Sequence, residues 1–219
     1  MRRALICFTR PPVPGRTKTR LMPLLSGESC AALHTAFLRD IAAVCGRVDA
    51  DLYVACAPEG DWRALEEIFP AALDMFPQTG EGLGERMHRA LAWVLSLGYD
   101  ACVLIGSDLP ELTEAHLIAA FAALDEADAT LGPTADGGYY LVGLKKPCRA
   151  LFTGQTYGCA SVYENTLAAV QAAGLRFCPA PPCRDVDVPE DLMRLRGTVR
   201  PDSHTGRLLN RLHWEENDP

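Results

Sequence analysis

The strongest constraint on the fold is a rhythm of short apolar runs separated by longer stretches with helical spacing. ALICFT (4–9), DLYVACA (51–57) and ACVLIG (101–106) are compact and bounded by turn-forming or charged residues, so they read as buried strands. Between the first two, Leu33, Phe37, Ile41 and Val44 recur on one helical face, opened by Ser26-Gly27-Glu28 and closed at Gly46. DWRALEEIF (61–69) predicts a short helix, LDMFPQ (73–78) a weak third strand, and 83–98 another helix. Thr113 is placed to cap a helix through Leu124. The alternation then breaks: ATLGP (129–133) and YYLVGL (139–144) are strand-like runs joined by a tight acidic-glycine turn. The capping-box spacing Ser161 to Glu164 predicts a helix to Gly174, RFCPA (176–180) a late strand, and Pro189 the start of a further helix. Repeated β-α units followed by a β-β insert imply an α/β fold, a mostly parallel sheet with one antiparallel edge, covered by helices. With 48% hydrophobic residues, the 219-residue chain can bury a core over one domain spanning 1–198, leaving a polar tail at 199–219.

In such sheets ligands bind beyond the carboxyl ends of the strands, so the chemistry is expected in the loops there. The first, RPPVPGRTKTRL (10–21), carries Arg10, Arg16, Lys18 and Arg20 and no carboxylate. Guanidinium forks and a lysine point charge suit phosphate oxygens, and Gly15 lets the backbone approach a ligand closely. It reads either as a phosphate site or as a solvated basic loop; it is not a Walker A loop, because Thr17 precedes Lys18 where that motif has glycine. The second loop, GSDLP (106–110), puts Asp108 at the end of the strongest strand, fit to hold a divalent cation beside phosphates or to start a turn. The third, around Asp136-Gly137-Gly138, is a hairpin turn whose glycines allow close approach. In the fourth, RDVDVPEDL (184–192), Asp185 and Asp187 are two apart and can face one site, although Asp187 can also cap the following helix. In GEGLGER (80–86), Gly82 and Gly84 do not make a Rossmann fingerprint, but a glycine-rich helix start can offer amides to a nucleotide base or ribose.

Net charge and absent patterns narrow the class. A formal charge of −7, with the basic excess confined to the first 20 residues, favours a small anionic ligand over nucleic acid. The nine cysteines are odd in number and contain no CxxC, so they read as small buried hydrophobes of a reducing cytoplasm. The five histidines show no metal-ligand spacing and read as surface or core residues. The apolar run near the N-terminus is too short for a signal peptide, no stretch suits a membrane span, and a cytoplasmic protein is expected.

Taken in order, PPVPGRTKTRL, GEGLGERM, VLIGSDLPELT, GPTADGGYYLVGL and DVDVPEDL resemble the bacterial DUF2064 family over about residues 1–198. That family is regarded as nucleotide-diphospho-sugar transferases of the GT-A type, with a weaker likeness to molybdopterin-cofactor and phospholactate guanylyltransferases. The resemblance implies a Rossmann-like three-layer α/β/α sandwich, the nucleotide-diphospho-sugar transferase fold. It implies phosphate contacts from Arg16, Lys18 and Arg20, Mg²⁺ or Mn²⁺ on Asp108 with Asp187 as a late second acid, and an acceptor-side turn at Asp136, Gly137 and Gly138. The chain departs from the family at TYGCAS (156–161), where many members carry Trp-Ser/Thr, which bears on the acceptor pocket.

Three readings follow. One is metal-dependent glycosyl transfer from a nucleotide-sugar to a small acceptor, with Asp136 or Asp185 as base. A second is nucleotidyl transfer from an NTP to a phosphorylated substrate, releasing pyrophosphate. A third is a nucleotide-binding protein without turnover.

Overall fold

The computed structural model describes residues 1–212, and in it the alternating pattern becomes one six-stranded sheet. Its strands are β1 (Arg3–Thr9), β2 (Asp51–Cys56), β3 (Asp74–Pro77), β4 (Ala101–Ile105), β5 (Ala129–Pro133) and β6 (Tyr139–Leu144), in the order β3-β2-β1-β4-β6-β5. Strands β1 to β4 are mutually parallel, with Cys7 of β1 level with Val54 and Ile105 of its neighbours. The antiparallel element is β6, one in from the rim, and β5 forms the rim beside it.

The helices are α1 (Gly27–Cys45), α2 (Arg63–Ile68), α3 (Leu83–Ser96), α4 (Glu114–Glu126), α5 (Val162–Ala172), α6 (Pro189–Thr198) and α7 (His204–Leu209). They make a three-layer sandwich because strand side chains alternate between faces. Leu5, Cys7, Val54, Val103 and Ile105 meet Leu38 and Ile41 of α1 and Leu117 and Phe121 of α4. Ala4, Ile6, Tyr53 and Leu104 meet Leu91 and Val94 of α3 and Val170 of α5 on the other face. Each fully buried leucine or isoleucine contributes about 1.5–3 kcal/mol of burial, which explains why the apolar runs dominate the sequence signal. A smaller third core joins Leu21 and Leu25 with Leu33 and Phe37 of α1, Val186, Leu192 and Leu195 of α6, and Leu209 of α7.

Local details differ from expectation in instructive ways. RFCPA (176–180) forms no regular strand; it lies along β5 through one parallel bridge, Ala129 with Phe177, and amide bonds such as Cys178 N to Ala129 O. Pro179, Pro181 and Pro182 lack the amides that a continuous ladder needs. Ser161 precedes α5 without a side-chain cap; its hydroxyl accepts from Asn165 Nδ2 and contacts Cys159 Sγ instead. Thr113 does precede α4, and its amide donates to His116 Nδ1 at 3.1 Å, so a histidine without expected work completes that start. Within the polar tail, α7 docks on α1, its His204 and Thr205 amides donating to the Asp40 carboxylate at 2.8 and 2.9 Å. His213 and the remainder of the tail lie outside the described residues. Among the described residues, no helix is long and apolar enough to cross a membrane.

Candidate active site

The basic loop is folded around one buried hydroxyl. Thr17, 2% exposed, donates from Oγ1 to Pro11 O and accepts from the Val13 amide at 3.0 Å, while the Arg16 and Thr17 amides both donate to Val13 O. Three prolines and this knot hold the loop stiff, and Gly15, at φ +72°, lies exposed against Gly27 at the start of α1. Lys18 then takes the left-handed conformation (φ 54°), the one described non-glycine residue to do so. Such strain persists where surrounding contacts over-determine it, and here they do. The Lys18 side chain is 4% exposed, its Nζ lies 2.6 Å from Asp108 Oδ1 and 3.2 Å from Asp187 Oδ1, and it also donates to Val186 O.

Lys18 therefore pins three segments together: the basic loop, the end of β4 and the entry to α6. The last two are also tied by the Val186 amide, which donates to Asp108 O at 3.0 Å. The capping role open to Asp187 belongs to Asp191, whose Oδ2 accepts from the Asp187 and Val188 amides. Asp187 is thereby left to the site. Burial would raise the Asp108 carboxyl, but the charge and hydrogen bond of Lys18, with the Arg10 charge, hold it below its ordinary value.

Two clefts open on either side of this pin. The first, about 720 Å³, is lined by Phe8, Gln78, Gly82, Arg86 and Tyr139 among others. The second, about 540 Å³, is lined by Lys18, Arg20, Asp136, Gly138, Asp185 and Asp187. Arg10, Arg16 and Asp108 border both. Arg16 and Arg20 form no ion pair among the described residues, so the loop presents an open guanidinium where the clefts meet, from Arg16, and another in the second cleft, from Arg20.

In the second cleft acids crowd together. Burial, with Asp136 and Asp187 nearby, pushes the Asp185 carboxyl up to about 6. Asp136 Oδ1 is occupied within its own turn, accepting from Thr134 Oγ1 and the Gly138 amide. Gly84 and Gly137 line neither cleft. A side chain on Gly84 would meet Phe152 O at 2.6 Å and Tyr157 Oη at 2.7 Å, and one on Gly137 would meet Ala160 O at 2.1 Å. These two glycines instead allow the 152–160 segment to pack closely, and that segment forms part of the second cleft's wall.

Several groups escaped the sequence reading. His34 is 1% exposed, with Nε2 donating to Arg10 O at 3.1 Å and Nδ1 unbonded 3.8 Å from Asp108 Oδ1; burial pulls its pKa down to about 4. Its place on the apolar face of α1 made it look like plain core. Gln78 and Tyr139 also line the clefts, and Tyr157 and Cys159 of the TYGCAS segment, to which the sequence assigned no individual roles, line the second. Gln78 immediately follows β3, so the carboxyl-end rule could have found it had that strand been stronger. All nine cysteines are free, and burial pushes Cys45 and Cys56 up to about 12. Cys159 is the exposed exception, and its contact with the Ser161 hydroxyl lowers its pKa.

The donor chemistry fits a hard divalent cation. Asp108 and Asp187 present oxygens to a single ammonium, and Mg²⁺ or Mn²⁺ accepts such oxygens together with phosphate and water. Among the described residues no group of three or more His, Cys, Asp and Glu side chains is set to hold a metal, so a ligand's phosphates would have to complete the shell.

Known proteins agree with this architecture. A crystal structure of a "putative nucleotide-diphospho-sugar transferase" from Desulfovibrio desulfuricans G20 is 33% identical, covers 96% of this chain and 95% of its own, and superposes with a TM-score of 0.87. A CMP:2-keto-3-deoxy-manno-octonic acid synthetase solved with CTP shares the fold at 12% identity, covering 90% of this chain and 98% of its own, with a TM-score of 0.52. Rv0371c of Mycobacterium tuberculosis H37Rv, solved with manganese, does so at 15% identity, 91% and 100% coverage, and a TM-score of 0.51. No curated protein matches the sequence. The family described as "Uncharacterized protein conserved in bacteria (DUF2064)" matches residues 40–159. With over half the chain matched, and a 33% identical relative covered almost end to end, the protein belongs to the DUF2064 family.

Proposed function

We propose that the protein is a transferase that grips the phosphates of an activated nucleotide at the shared mouth of the two clefts. Its reaction is glycosyl transfer from a nucleotide-sugar to a small acceptor. The observation that carries this reading is the Lys18 pin: a strained, buried lysine holds Asp108 and Asp187 together, in a loop whose three arginines line the adjoining clefts. A solvated basic loop has no reason to bury its lysine against two acids drawn from distant segments.

In this reading Arg10, Arg16 and Arg20 bind phosphate oxygens and Lys18 moves between the acids and the phosphates. Asp108 and Asp187 would hold Mg²⁺ or Mn²⁺, which supplies neutralising charge for a leaving diphosphate. Gly82 borders the nucleoside in the first cleft, and the Gly138 turn borders the acceptor in the second. Asp185, half-buried in the second cleft, is better placed as base toward an acceptor hydroxyl than Asp136, one of whose oxygens is spent on its own turn. The likeness to the Desulfovibrio protein supports the glycosyl reading.

Nucleotidyl transfer is the second reading, favoured by the number of open cations, which suits a triphosphate, and by the fold shared with a synthetase that binds CTP. Thermal shift with NTPs and nucleotide-sugars, with and without Mg²⁺ or Mn²⁺, followed by product assay, tests both. Release of nucleoside diphosphate identifies glycosyl transfer and release of pyrophosphate identifies nucleotidyl transfer. A shift without either product leaves a nucleotide-binding protein that does not turn over, and no shift with any nucleotide sinks all three.

A further inference from the structure

The phosphate and acid machinery leaves Gln78 unused, although this residue is 7% exposed and lines the first cleft. Its backbone amide extends the β2–β3 pairing by donating to Cys56 O at 2.8 Å. Its side-chain Nε2 donates to Thr9 O at 2.8 Å and to Ala55 O at 2.9 Å, at the ends of β1 and β2. A carboxamide has two N–H donors and one acceptor oxygen. Both donors are therefore spent on main-chain carbonyls, and turning the group over would set oxygen against those same carbonyls, so its orientation is fixed. What Gln78 retains is Oε1, an acceptor that takes no hydrogen bond from the described residues. Glu59 and Glu81 line the same cleft and add further acceptors, while Arg10, Arg16 and Arg86 bring donors to it, the Nε of Arg86 being committed to Gly80 O.

We infer that Gln78 reads the base of a bound nucleotide and selects one carrying an exocyclic amino group, disfavouring uracil. The inference rests on the nucleotide reading above: phosphates at the shared mouth leave the first cleft for the nucleoside. Cytosine, adenine and guanine each present an amino donor, whereas uracil puts a carbonyl oxygen where cytosine has its amino group. Uracil's ring N–H is flanked by carbonyl oxygens on both sides, which the fixed Gln78 Oε1 repels. A buried acceptor left facing another acceptor loses its hydrogen bond to water without replacement, and sites built to bond a ligand N–H discriminate strongly on that account.

Titration calorimetry on the full chain with ligand pairs that differ at the amino group tests this without altering the protein. CDP against UDP, and GDP and ADP against inosine diphosphate, are compared at one fixed Mg²⁺ concentration. The expected result is that an amino-bearing diphosphate binds about tenfold or more tightly than its partner. Gln78→Leu, checked for a wild-type near-UV circular dichroism spectrum, should bring that ratio close to one. UDP binding as well as the amino-bearing ligands overturns the inference, as does a preference that survives in folded Gln78→Leu. Failure of every diphosphate to bind is a different result, which removes the nucleotide reading itself. Should Gln78→Leu not fold, the ligand pairs alone decide.

Discussion

The two clefts share a rim but are built differently. The first mixes aromatic and aliphatic side chains from the sheet ends with one immobilised amide, and Glu59, Glu81 and Arg86 add charge at its loops. The second is walled by acids, cations and an exposed thiol carried on loops. One offers shape and a fixed hydrogen-bond pattern, the other a high density of charge whose balance a ligand can change. In the proposed function, recognition falls to the first cleft and chemistry to the second.

The largest test of this division is Lys18→Met. Losing the ammonium should cut turnover about 100-fold or more, the usual scale for a charged group aimed at developing charge. Asp108 and Asp187 are 38% and 45% exposed, so water takes over part of the pairing. Stability should then fall by on the order of 1–2 kcal/mol rather than the ~3–5 of a fully buried broken pair. Unchanged turnover would mean that the pin is only structural. Next, Asp108→Asn should erase the metal-dependent part of any nucleotide-induced rise in melting temperature while leaving the metal-free part. A metal response equal to wild type takes Asp108 out of the cation site.

Gly137→Ala separates the clefts more finely. The added methyl would strike the Ala160 carbonyl in a backbone conformation (φ +86°) that alanine resists, costing about 1–3 kcal/mol. It should raise the acceptor KM and change nucleotide affinity by less than about twofold, since Gly137 and Ala160 line neither cleft and the 157–159 segment beside them lines only the second. Equal damage to both would show that the clefts are not independent. The smallest effect is expected at Asp128→Asn, a control remote from either cleft. Hydrogen bonds from Arg176 hold the half-buried Asp128 carboxyl down at about 2. A depressed carboxyl stabilises the fold above its unfolded value near 3.8, and that contribution disappears as pH falls toward about 2. The variant should therefore melt slightly lower than wild type at neutral pH, and the two should converge in acid.

The fold was legible because strands buried on both faces leave dense apolar runs, and the basic loop because a run of cations without acids is conspicuous. Asp108 followed from the same logic, standing where an apolar strand meets the sheet's open end. The partner of the loop's charge was not legible: nothing in RPPVPGRTKTRL announces that Lys18 turns inward to acids about 90 and 170 residues away. His34 was hidden by its neighbours Leu33 and Phe37, which make any residue on that face look like core. Gln78 was hidden by β3, whose four residues are largely solvent-facing and carry a weak signal. Ser161 misled because a capping box is a local pattern, and the hydroxyl was claimed by Asn165 and Cys159. In each case a short-range rule was overruled by a contact distant in sequence or by a competing neighbour.

The third core has a mechanical consequence. Leu21 directly follows Arg20, and Val186 sits between Asp185 and Asp187, yet both are anchored in the same small cluster with α1, α6 and α7. The basic jaw and the acidic jaw thus ride on one cushion, which is separate from the two larger cores that flank the sheet. Leu21 and Val186 therefore tie the two jaws to one another, and Lys18 and the Val186 amide tie both to Asp108 at the end of β4. Swapping residues within this cushion would retune the grip of the jaws without rebuilding the frame they hang from.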